Sequence, residues 1–278
     1  MSQMTYILFA IPMFFGTMFL EYLLGRKHRR RGRGYAGRDT AASLAMGIGN
    51  VILSFLFKAA SFGLYLWVYQ FRIFDIPETA WWALPVLILC EDFCYYWFHR
   101  CQHTWAWFWA HHKLHHTEVH MNATTSFRHH WMENVYRIPF IFIPMGLFNI
   151  EGSYTVLVWD AALLWAIFTH VNLRLSMGPL TRFIAGPQVH RIHHSSLPEH
   201  QNRNFAAFFP IWDQLFGSFH MPKQNEFPPC GMTDGETTDS VWQAHFGVFK
   251  DWYGLWKNRK AGRPASAPAA VPVASENA

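Results

Sequence analysis

The sequence predicts an all-α protein, an integral membrane bundle of about three to five membrane helices with a cytosolic, helical, histidine-rich site for two metal ions. Hydrophobic residues make up 51% of the 278 residues and charged residues only 15%, against about a quarter in soluble domains. Apolar surface on this scale must leave water somewhere, which favours a membrane. Fourteen of the 17 histidines lie between His99 and His200, and this concentration predicts metal binding.

Five apolar runs predict the membrane helices. The first, 6–24, is about long enough to cross a bilayer core. The second, 41–71, leads outward, and the third, 81–89, continues to His99 at the cytoplasmic face. The runs 138–150 and 154–168 are short, so they predict a shallow hairpin or two short tilted helices. Either arrangement returns the chain to the cytoplasm before the later histidines.

Basic residues directly follow the first apolar run and set the predicted orientation. Positive charge beside a span marks its cytoplasmic end, so the N-terminus is predicted outside and a cleaved signal peptide is not expected. No helix-turn-helix or RNA-binding signature accompanies the net charge of +5, and a nucleic-acid partner is therefore not expected. The basic cluster consists of Arg26, Lys27, Arg29, Arg30, Arg31, Arg33 and Arg38.

Composition divides the chain into four predicted parts. Residues 1–75 hold the N-terminal membrane helices and the basic loop, and residues 76–222 form a histidine-rich catalytic domain. Residues 223–260 are predicted to be a C-terminal cytosolic extension. Residues 261–278 are rich in Ala and Pro and are predicted to be a disordered tail.

Three spaced motifs carry the metal-binding prediction. One HxxxH motif and two HxxHH motifs place histidines at helical spacings i, i+3 and i+4, so each motif can aim its imidazoles at a single point. A single zinc ion takes three or four protein ligands, whereas eight imidazoles are enough for two ions. The eight are His99, His103, His112, His115, His116, His190, His193 and His194.

The other histidines have no matching spacing and are predicted to be ordinary core or surface residues. This prediction leaves His200 outside the ligand set and assigns His28 to the basic loop. His220 and His245 are isolated. Surface groups, or groups that support the ligands, are predicted for His111, His120 and His129.

Iron, zinc, copper and nickel all accept neutral imidazole. Two redox-active irons could activate dioxygen against a C–H bond, and neither the Glu plus ExxH motif of soluble di-iron bundles nor the HExxH of zinc hydrolases is present. A membrane zinc hydrolase and a non-enzymatic haem- or metal-binding membrane protein are the alternatives.

An ordered set of motifs between Asp92 and Gly217 resembles the fatty acid hydroxylase/sterol desaturase superfamily. The set begins with Asp92-x-x-Tyr95-Tyr96-Trp97-x-His99-Arg100-x-x-His103 and His112-x-x-His115-His116, continues with Thr125-x-x-Arg128-x-His130-x-x-Glu133 and His170-x-Asn172, and ends with His190-x-x-His193-His194, Asn204-Phe205 and Trp212-Asp213-x-x-Phe216-Gly217.

The resemblance implies a di-iron site on the cytosolic side, with dioxygen as co-substrate and a lipid as substrate. It carries the ligand role to the eight clustered histidines and adds His130 and His170. The sequence departs from the family pattern at Trp131, where Pro is common, and at Asn204-Phe205, where Asn-Tyr-Gly is usual. Whether the enzyme hydroxylates or desaturates, and which lipid it uses, stays open.

The expected partners are a membrane and a separate electron donor of the ferredoxin or cytochrome b5 type with its reductase. A cytochrome b5-like segment and a Rossmann fingerprint are not visible in the sequence. The short chain and its Ala/Pro-rich end favour a bacterial inner-membrane enzyme.

Two carboxylates, Asp92 and Glu133, are the candidate catalytic residues beside the histidines. Asp92 precedes His99 by seven residues, two turns along one helical face. A carboxylate there could accept a hydrogen bond from a ligand imidazole and orient it, or it could be a helix-packing charge. Glu133 and Asp213 have the same two interpretations.

Overall fold

Nine α-helices account for most of the regular structure in the part of the chain that the structure describes. The computed structural model describes residues 3–25, 35–74, 77, 80–147, 152–238 and 240–260. No strand occurs in these ranges, apart from one isolated bridge between Ser195 and Cys230, which confirms the all-α class. The helices are α1 (Gln3–Leu24), α2 (Gly37–Tyr69), α3 (Ala83–Thr104), α4 (Ala106–His116), α5 (Met132–Leu147), α6 (Gly152–Thr169), α7 (Pro187–His193), α8 (Ile211–Leu215) and α9 (Val241–Lys260).

The predicted apolar runs all lie in helices. The run 41–71 falls almost entirely in the 33-residue α2, and the runs 138–150 and 154–168 fall largely in α5 and α6. Within the described residues, no helix combines the length and the hydropathy needed to cross a membrane. Most of the basic cluster, at 26–33, and the predicted tail at 261–278 lie outside the described residues.

Helix α3, which carries the first two histidines of the motifs, packs against several other helices. Helix α3 contacts α4, α5 and α6, while α2 packs along α5 and α1 packs along α6. Gly146 makes the α2–α5 approach possible, because a Cβ atom there would lie 2.9 Å from the Val68 side chain.

A sharp corner at Trp105 joins α3 to α4. Trp105 has an extended backbone with φ −104° and ψ 116°, and its N–H still donates to the Cys101 carbonyl at the end of α3 (2.9 Å). Its own carbonyl accepts from the Trp109 N–H (2.8 Å) in the first turn of α4. One residue therefore ends one helix and starts the next, so that the histidine-bearing faces of α3 and α4 lie side by side.

Glu21 of α1 anchors one segment that follows the histidine-bearing helix α4 and another that follows α6 and His170. Its buried carboxylate accepts from the backbone N–H of Ala123 (3.0 Å), which begins a 3-10 turn, and from that of Asn172 (2.6 Å), just after α6. Charged acceptors form the stronger class of hydrogen bond. Helix α1 thus fixes both segments although it bears no histidine.

The short helix α7 is defined by the residues at its start. Pro187 occupies a first-turn position, where its missing N–H costs nothing and its fixed φ favours a helix. Gly186 before it has no room for a side chain, because a Cβ atom would lie 2.5 Å from Met177. This start sets the direction in which the last histidine motif enters the site.

The C-terminal helix α9 packs on α4 and α2. Trp252 donates from Nε1 to the Trp107 carbonyl (2.9 Å), and Lys113 of α4 lies 2.8 Å from the Asp251 carboxylate. The predicted extension 223–260 is therefore in contact with a histidine-bearing helix.

Candidate metal centre

Nine histidines form two adjacent groups at the ends of α3, α4, α6 and α7. In each group, every member places a ring nitrogen within 4.8 Å of those of the others. We call them the five-histidine group, with His99, His103, His112, His116 and His193, and the four-histidine group, with His115, His170, His190 and His194.

Each HxxHH motif divides its histidines between the two groups. In α4 the pair at i and i+4, His112 and His116, enters the five-histidine group, while His115 enters the four-histidine group. At α7 the assignment is reversed, because His193 alone enters the five-histidine group. The expectation that one motif aims at one point is thus wrong, because the side chains at i+3 and i+4 differ in direction by about 100° around the helix axis and enter different groups.

In the five-histidine group, backbone carbonyls orient two of the rings. His99 donates from Nδ1 to the Phe205 carbonyl (2.8 Å), and His193 donates from Nδ1 to the Arg203 carbonyl (2.9 Å). Protonation of Nδ1 leaves the Nε2 lone pair available to a metal. The Nε2 atoms of His99, His103, His112, His116 and His193 are all buried without a hydrogen-bond partner. Buried polar atoms are nearly always partnered, so these nitrogens are arranged for a ligand.

In the four-histidine group the Nε2 atoms meet each other. His170 lies 3.1 Å from His115 and 2.9 Å from His190, and His190 lies 3.2 Å from His194, each measured between Nε2 atoms. Metal–nitrogen bonds of about 2.1 Å place neighbouring ligand atoms about 3.0 to 3.4 Å apart. His170 is also held by an Nδ1 hydrogen bond to the Ala166 carbonyl. The spacing is that of ligands around one ion.

The protonation state suits metal binding. Burial lowers the pKa of His115, His116 and His194 well below the ordinary 6.5, and the neighbouring imidazoles lower it further. Burial lowers the pKa of His193 to about 3. The rings are therefore neutral at physiological pH, as ligation requires.

Glu133 interacts with two histidines at the edge of the groups. Its Oε2 accepts from His129 Nδ1 (3.0 Å) and lies 3.7 Å from His112 Nδ1. Burial alone would raise the pKa of Glu133, but His129 and His112 hold it well below its ordinary value. A carboxylate in this position can orient imidazoles, and an orienting role for Glu133 stays a prediction.

His129, which lacks a matching spacing, lies beside the four-histidine group. Its ring stacks on that of His115, with centroids 4.3 Å apart.

The structure does not bring His130, a predicted ligand, to either group. Its Nε2 lies 3.0 Å from the His245 carbonyl, and its Nδ1 accepts from the Met132 N–H. Adjacent residues after the 3-10 turn point in opposite directions, which sequence spacing cannot resolve.

Asp92 does not contact an imidazole, contrary to the orienting role considered for it. The fully buried carboxylate accepts from the N–H groups of Phe208 (2.8 Å) and Phe209 (2.9 Å) and from Trp212 Nε1 (3.0 Å). Two helical turns, about 11 Å, separate it from His99 along α3, and the chain before α8 fills that space. Asp92 therefore fixes this chain to α3.

Asp213 is linked to His99 through one peptide unit, which is an indirect form of the orienting role considered for it. Its carboxylate accepts from the N–H groups of Phe205 (2.8 Å) and Ala206 (2.9 Å) and from Ser218 Oγ (2.7 Å). The carbonyl of Phe205 is the acceptor for His99 Nδ1. Asp213 is thus a positioning residue for the five-histidine group.

A cavity of ≈ 310 Å³ opens on one face of the five-histidine group. His103, His116 and His193 line it together with the apolar side chains of Trp109 and Met232. Its other lining residues include the polar Gln201, Asn202, Thr233 and Asp234. The cavity can therefore hold a molecule that has both an apolar and a polar part.

The donor set fits two transition-metal ions. Within the described residues, each of the two groups offers imidazoles only, and imidazole suits iron, zinc, copper and nickel. Four or five neutral nitrogens are enough ligands for one ion in each group.

Comparison with known proteins places this site in a family. The chain is 28% identical to the human alkylglycerol monooxygenase over 253 residues, which are 90% of this chain and 56% of the relative. It is 30% identical to the ornithine lipid hydroxylase OlsE of Rhizobium tropici over 52% of this chain and 44% of the relative. A Delta(7)-sterol 5(6)-desaturase of Gibberella zeae is 26% identical over 66% of this chain and 51% of the relative.

The chain thus spans about half the length of the curated relatives that it matches. The names of all three describe oxidoreductases that act on lipids, in agreement with the predicted enzyme class. They come from an animal, a bacterium and a fungus, so they do not support the predicted location in a bacterial inner membrane. No solved structure matches the chain significantly. The fatty acid hydroxylase family model matches residues 84–218, which include all ten predicted ligands; this stretch, and with it the whole candidate metal centre, belongs to the fatty acid hydroxylase family.

Proposed function

We propose that this chain is a di-iron, dioxygen-dependent lipid monooxygenase that hydroxylates a carbon close to the polar headgroup of its substrate. The observation that carries the proposal is the pair of imidazole groups, whose buried nitrogens have the spacing and the neutral state of metal ligands. The lipid substrate is supported by the names of the relatives, and its polar headgroup by the cavity.

Each part of the site has a role in this proposal. Bound iron supplies the redox chemistry that activates dioxygen against a C–H bond. Asp213 and Glu133 hold the ligand imidazoles in orientation, the first through the Phe205 peptide and the second through His129. Trp109 lines the cavity beside His103 and His116 and presents apolar surface to the substrate next to the five-histidine group.

The polar side chains of the cavity are proposed to select the carbon that is presented. Gln201, Thr233 and Asp234 line the same cavity as three of the imidazoles and offer hydrogen-bond donors and acceptors to a headgroup. A polyol or amino-acid headgroup held there leaves the first carbons of the chain near the five-histidine group. Hydroxylation at such a carbon favours an alkylglycerol over a sterol, which has a single hydroxyl to offer.

Lipid contact is proposed for exposed apolar faces on α1 and α2. Phe15 and Phe19 are each 61% exposed, and Ile48 and Val51 are 64% and 66% exposed. Large exposed apolar patches mark interaction surfaces. We propose a membrane as the partner of these faces, with the metal centre on the cytoplasmic side, and a separate ferredoxin- or cytochrome b5-type protein as the electron donor.

The test uses the full chain purified in detergent micelles. Metal analysis should give about two irons per chain, and incubation with an alkylglycerol, a reductant system and ¹⁸O₂ should place one labelled oxygen in the lipid. His194→Ala should abolish labelling and lower the bound iron, whereas the control His245→Ala should change neither. Zinc with no oxygen consumption would favour the hydrolase alternative, and a Soret band would favour haem.

A further inference from the structure

A third cluster of metal-ligating side chains lies outside the two histidine groups. His200, His220 and Glu226 bring ligand atoms within 4.8 Å of one another. They lie 20 and 6 residues apart in the sequence, in irregular segments, so no motif announces them. We propose that this cluster binds a divalent transition-metal ion such as Zn²⁺, which clamps the chain around 223–228 to the segment that carries the last histidine motif.

The two Nε2 atoms face the two oxygens of one carboxylate. His200 Nε2 lies 3.3 Å from Glu226 Oε1, and His220 Nε2 lies 3.9 Å from Glu226 Oε2. The second distance is too long for a hydrogen bond, and His220 Nε2 is shielded from solvent without a hydrogen-bond partner. A simple His–Glu hydrogen bond explains the first contact but leaves His220 unexplained. One cation between the three side chains would give the Nε2 atoms of both rings a partner.

Each of the three groups is held in place by its own neighbours. His200 Nδ1 lies 2.9 Å from Ser195 Oγ. With the proton on Nδ1, the ring donates to this hydroxyl and keeps its Nε2 lone pair for a metal. Asn204, at φ 59°, fixes the His220 backbone on both sides, accepting from its N–H (2.8 Å) and donating to its carbonyl (3.1 Å). Burial lowers the pKa of His220, so its ring is neutral.

The carboxylate is presented by a tight turn. Glu226 N–H donates to the Lys223 carbonyl (3.1 Å), Lys223 N–H donates to Glu226 Oε2 (2.7 Å), and Asn225 between them has φ 62°. Asn is among the few residues that tolerate this left-handed conformation. The turn aims Glu226 back at the two rings instead of into solvent.

Metal binding at this cluster would affect α7, which carries His190 and His193. Gln188 donates to the Lys223 carbonyl (2.9 Å), and Arg191 donates to the Pro228 carbonyl (2.9 Å) while lying over the Phe227 ring. The segment 223–228 therefore already packs on α7, and a metal at Glu226 ties its middle to the residues just beyond His194. Two histidines and one carboxylate leave a further position for water, as in open zinc sites.

The proposal is independent of the iron chemistry and is tested by zinc binding to the full-length protein. Wild type, Glu226→Gln, His220→Asn and the control Glu199→Gln are dialysed against Zn²⁺, and bound zinc and iron are counted. Glu226→Gln and His220→Asn should each lose about one zinc per chain relative to wild type and keep their iron. Glu199→Gln makes the same chemical change beside His200 and should keep the zinc.

Thermal unfolding gives a second readout. Added Zn²⁺ should raise the Tm of wild type and of Glu199→Gln but not that of Glu226→Gln, because only an intact site stabilises the fold on binding. Equal zinc counts and equal Tm shifts in all four proteins would overturn the proposal and leave only a His200–Glu226 hydrogen bond.

Discussion

His115 and His116 are neighbours in the chain, but their imidazole planes stand at 87° to each other and belong to different histidine groups. Successive residues on a helix differ in direction by about 100°, so an adjacent pair can supply two centres at once. Their ring centroids are 5.4 Å apart, which brings the two groups into close proximity. Helix α4 is therefore a shared wall of both groups.

This arrangement predicts that single substitutions weaken iron binding in one group at a time. His115→Ala should lower the iron occupancy of the four-histidine group and His116→Ala that of the five-histidine group, while the other group keeps its ion. Both variants should lose activity, because the proposed chemistry needs both ions. Iron counting, with ⁵⁷Fe Mössbauer spectra to identify the remaining site, makes the measurement.

The Mössbauer spectra of His115→Ala and His116→Ala are compared with each other. Two variants with different residual signals support separate sites, whereas loss of all iron in both, or the same residual signal in both, would show that the histidines do not divide as the structure places them. His245→Ala serves as the control and should keep the wild-type spectrum.

Asp213→Asn should weaken the five-histidine group without touching any ligand. An Asn side chain is neutral and has one acceptor oxygen in place of two, so one of the N–H groups of Phe205 and Ala206 loses its acceptor and the other keeps only an uncharged one. The Phe205 carbonyl then no longer holds His99 firmly, and iron affinity at this group should fall about 10- to 100-fold, the usual cost of losing an outer partner of a ligand.

Titration with an iron chelator measures that affinity for each group. Asp92→Asn is the comparison variant, since it loosens the same stretch of chain at Phe208 and Phe209 but not the peptide that holds His99. An equal loss of affinity in both variants would show that general loosening, and not the orientation of His99, is responsible.

Helical periodicity predicted the parts of the site that lie within helices. Eight clustered histidines were found from spacing alone, because i, i+3 and i+4 positions share a side of a helix. The division between groups was not predicted, since it depends on how α3, α4 and α7 pack against each other. His129 and the cluster around Glu226 lie in turns and irregular chain, where no period relates sequence to direction, and Asp213 lies in α8, whose five residues are too few to show a period.

His129 and His130 give a test of that irregular region. His129→Ala removes the ring that stacks on His115 and the donor to Glu133, so activity should fall about 10-fold or more. His130→Phe loses the bond to the His245 carbonyl and should cost about 1 kcal/mol of stability while keeping both irons. The opposite result, with iron lost only in His130→Phe, would restore His130 as a ligand and contradict its placement here.

A pH-dependent loss of stability is expected from His111, a buried histidine outside both groups. Its ring stacks against Tyr136 with centroids 5.2 Å apart, neither ring nitrogen has a hydrogen-bond partner, and burial lowers its pKa to about 3. Between pH 6.5 and about 3 the unfolded chain binds a proton that the folded chain does not. Stability contributed by this residue is therefore complete above pH 6.5 and decreases as the pH falls towards 3, by about 2 kcal/mol at pH 5.

His111→Phe keeps the stacking on Tyr136 and removes the titrating group. Between pH 7.5 and pH 5 its Tm should fall less than that of wild type, by a difference of about 4 to 8 °C for a chain of this size. Other buried histidines contribute equally to both proteins, so the difference isolates His111. The partly exposed His120 provides the control substitution, and His120→Phe should follow the wild-type profile. If the Tm of His111→Phe and that of wild type decrease by the same amount, the folded protein accepts a proton at His111. The ring would then not be buried as the structure places it.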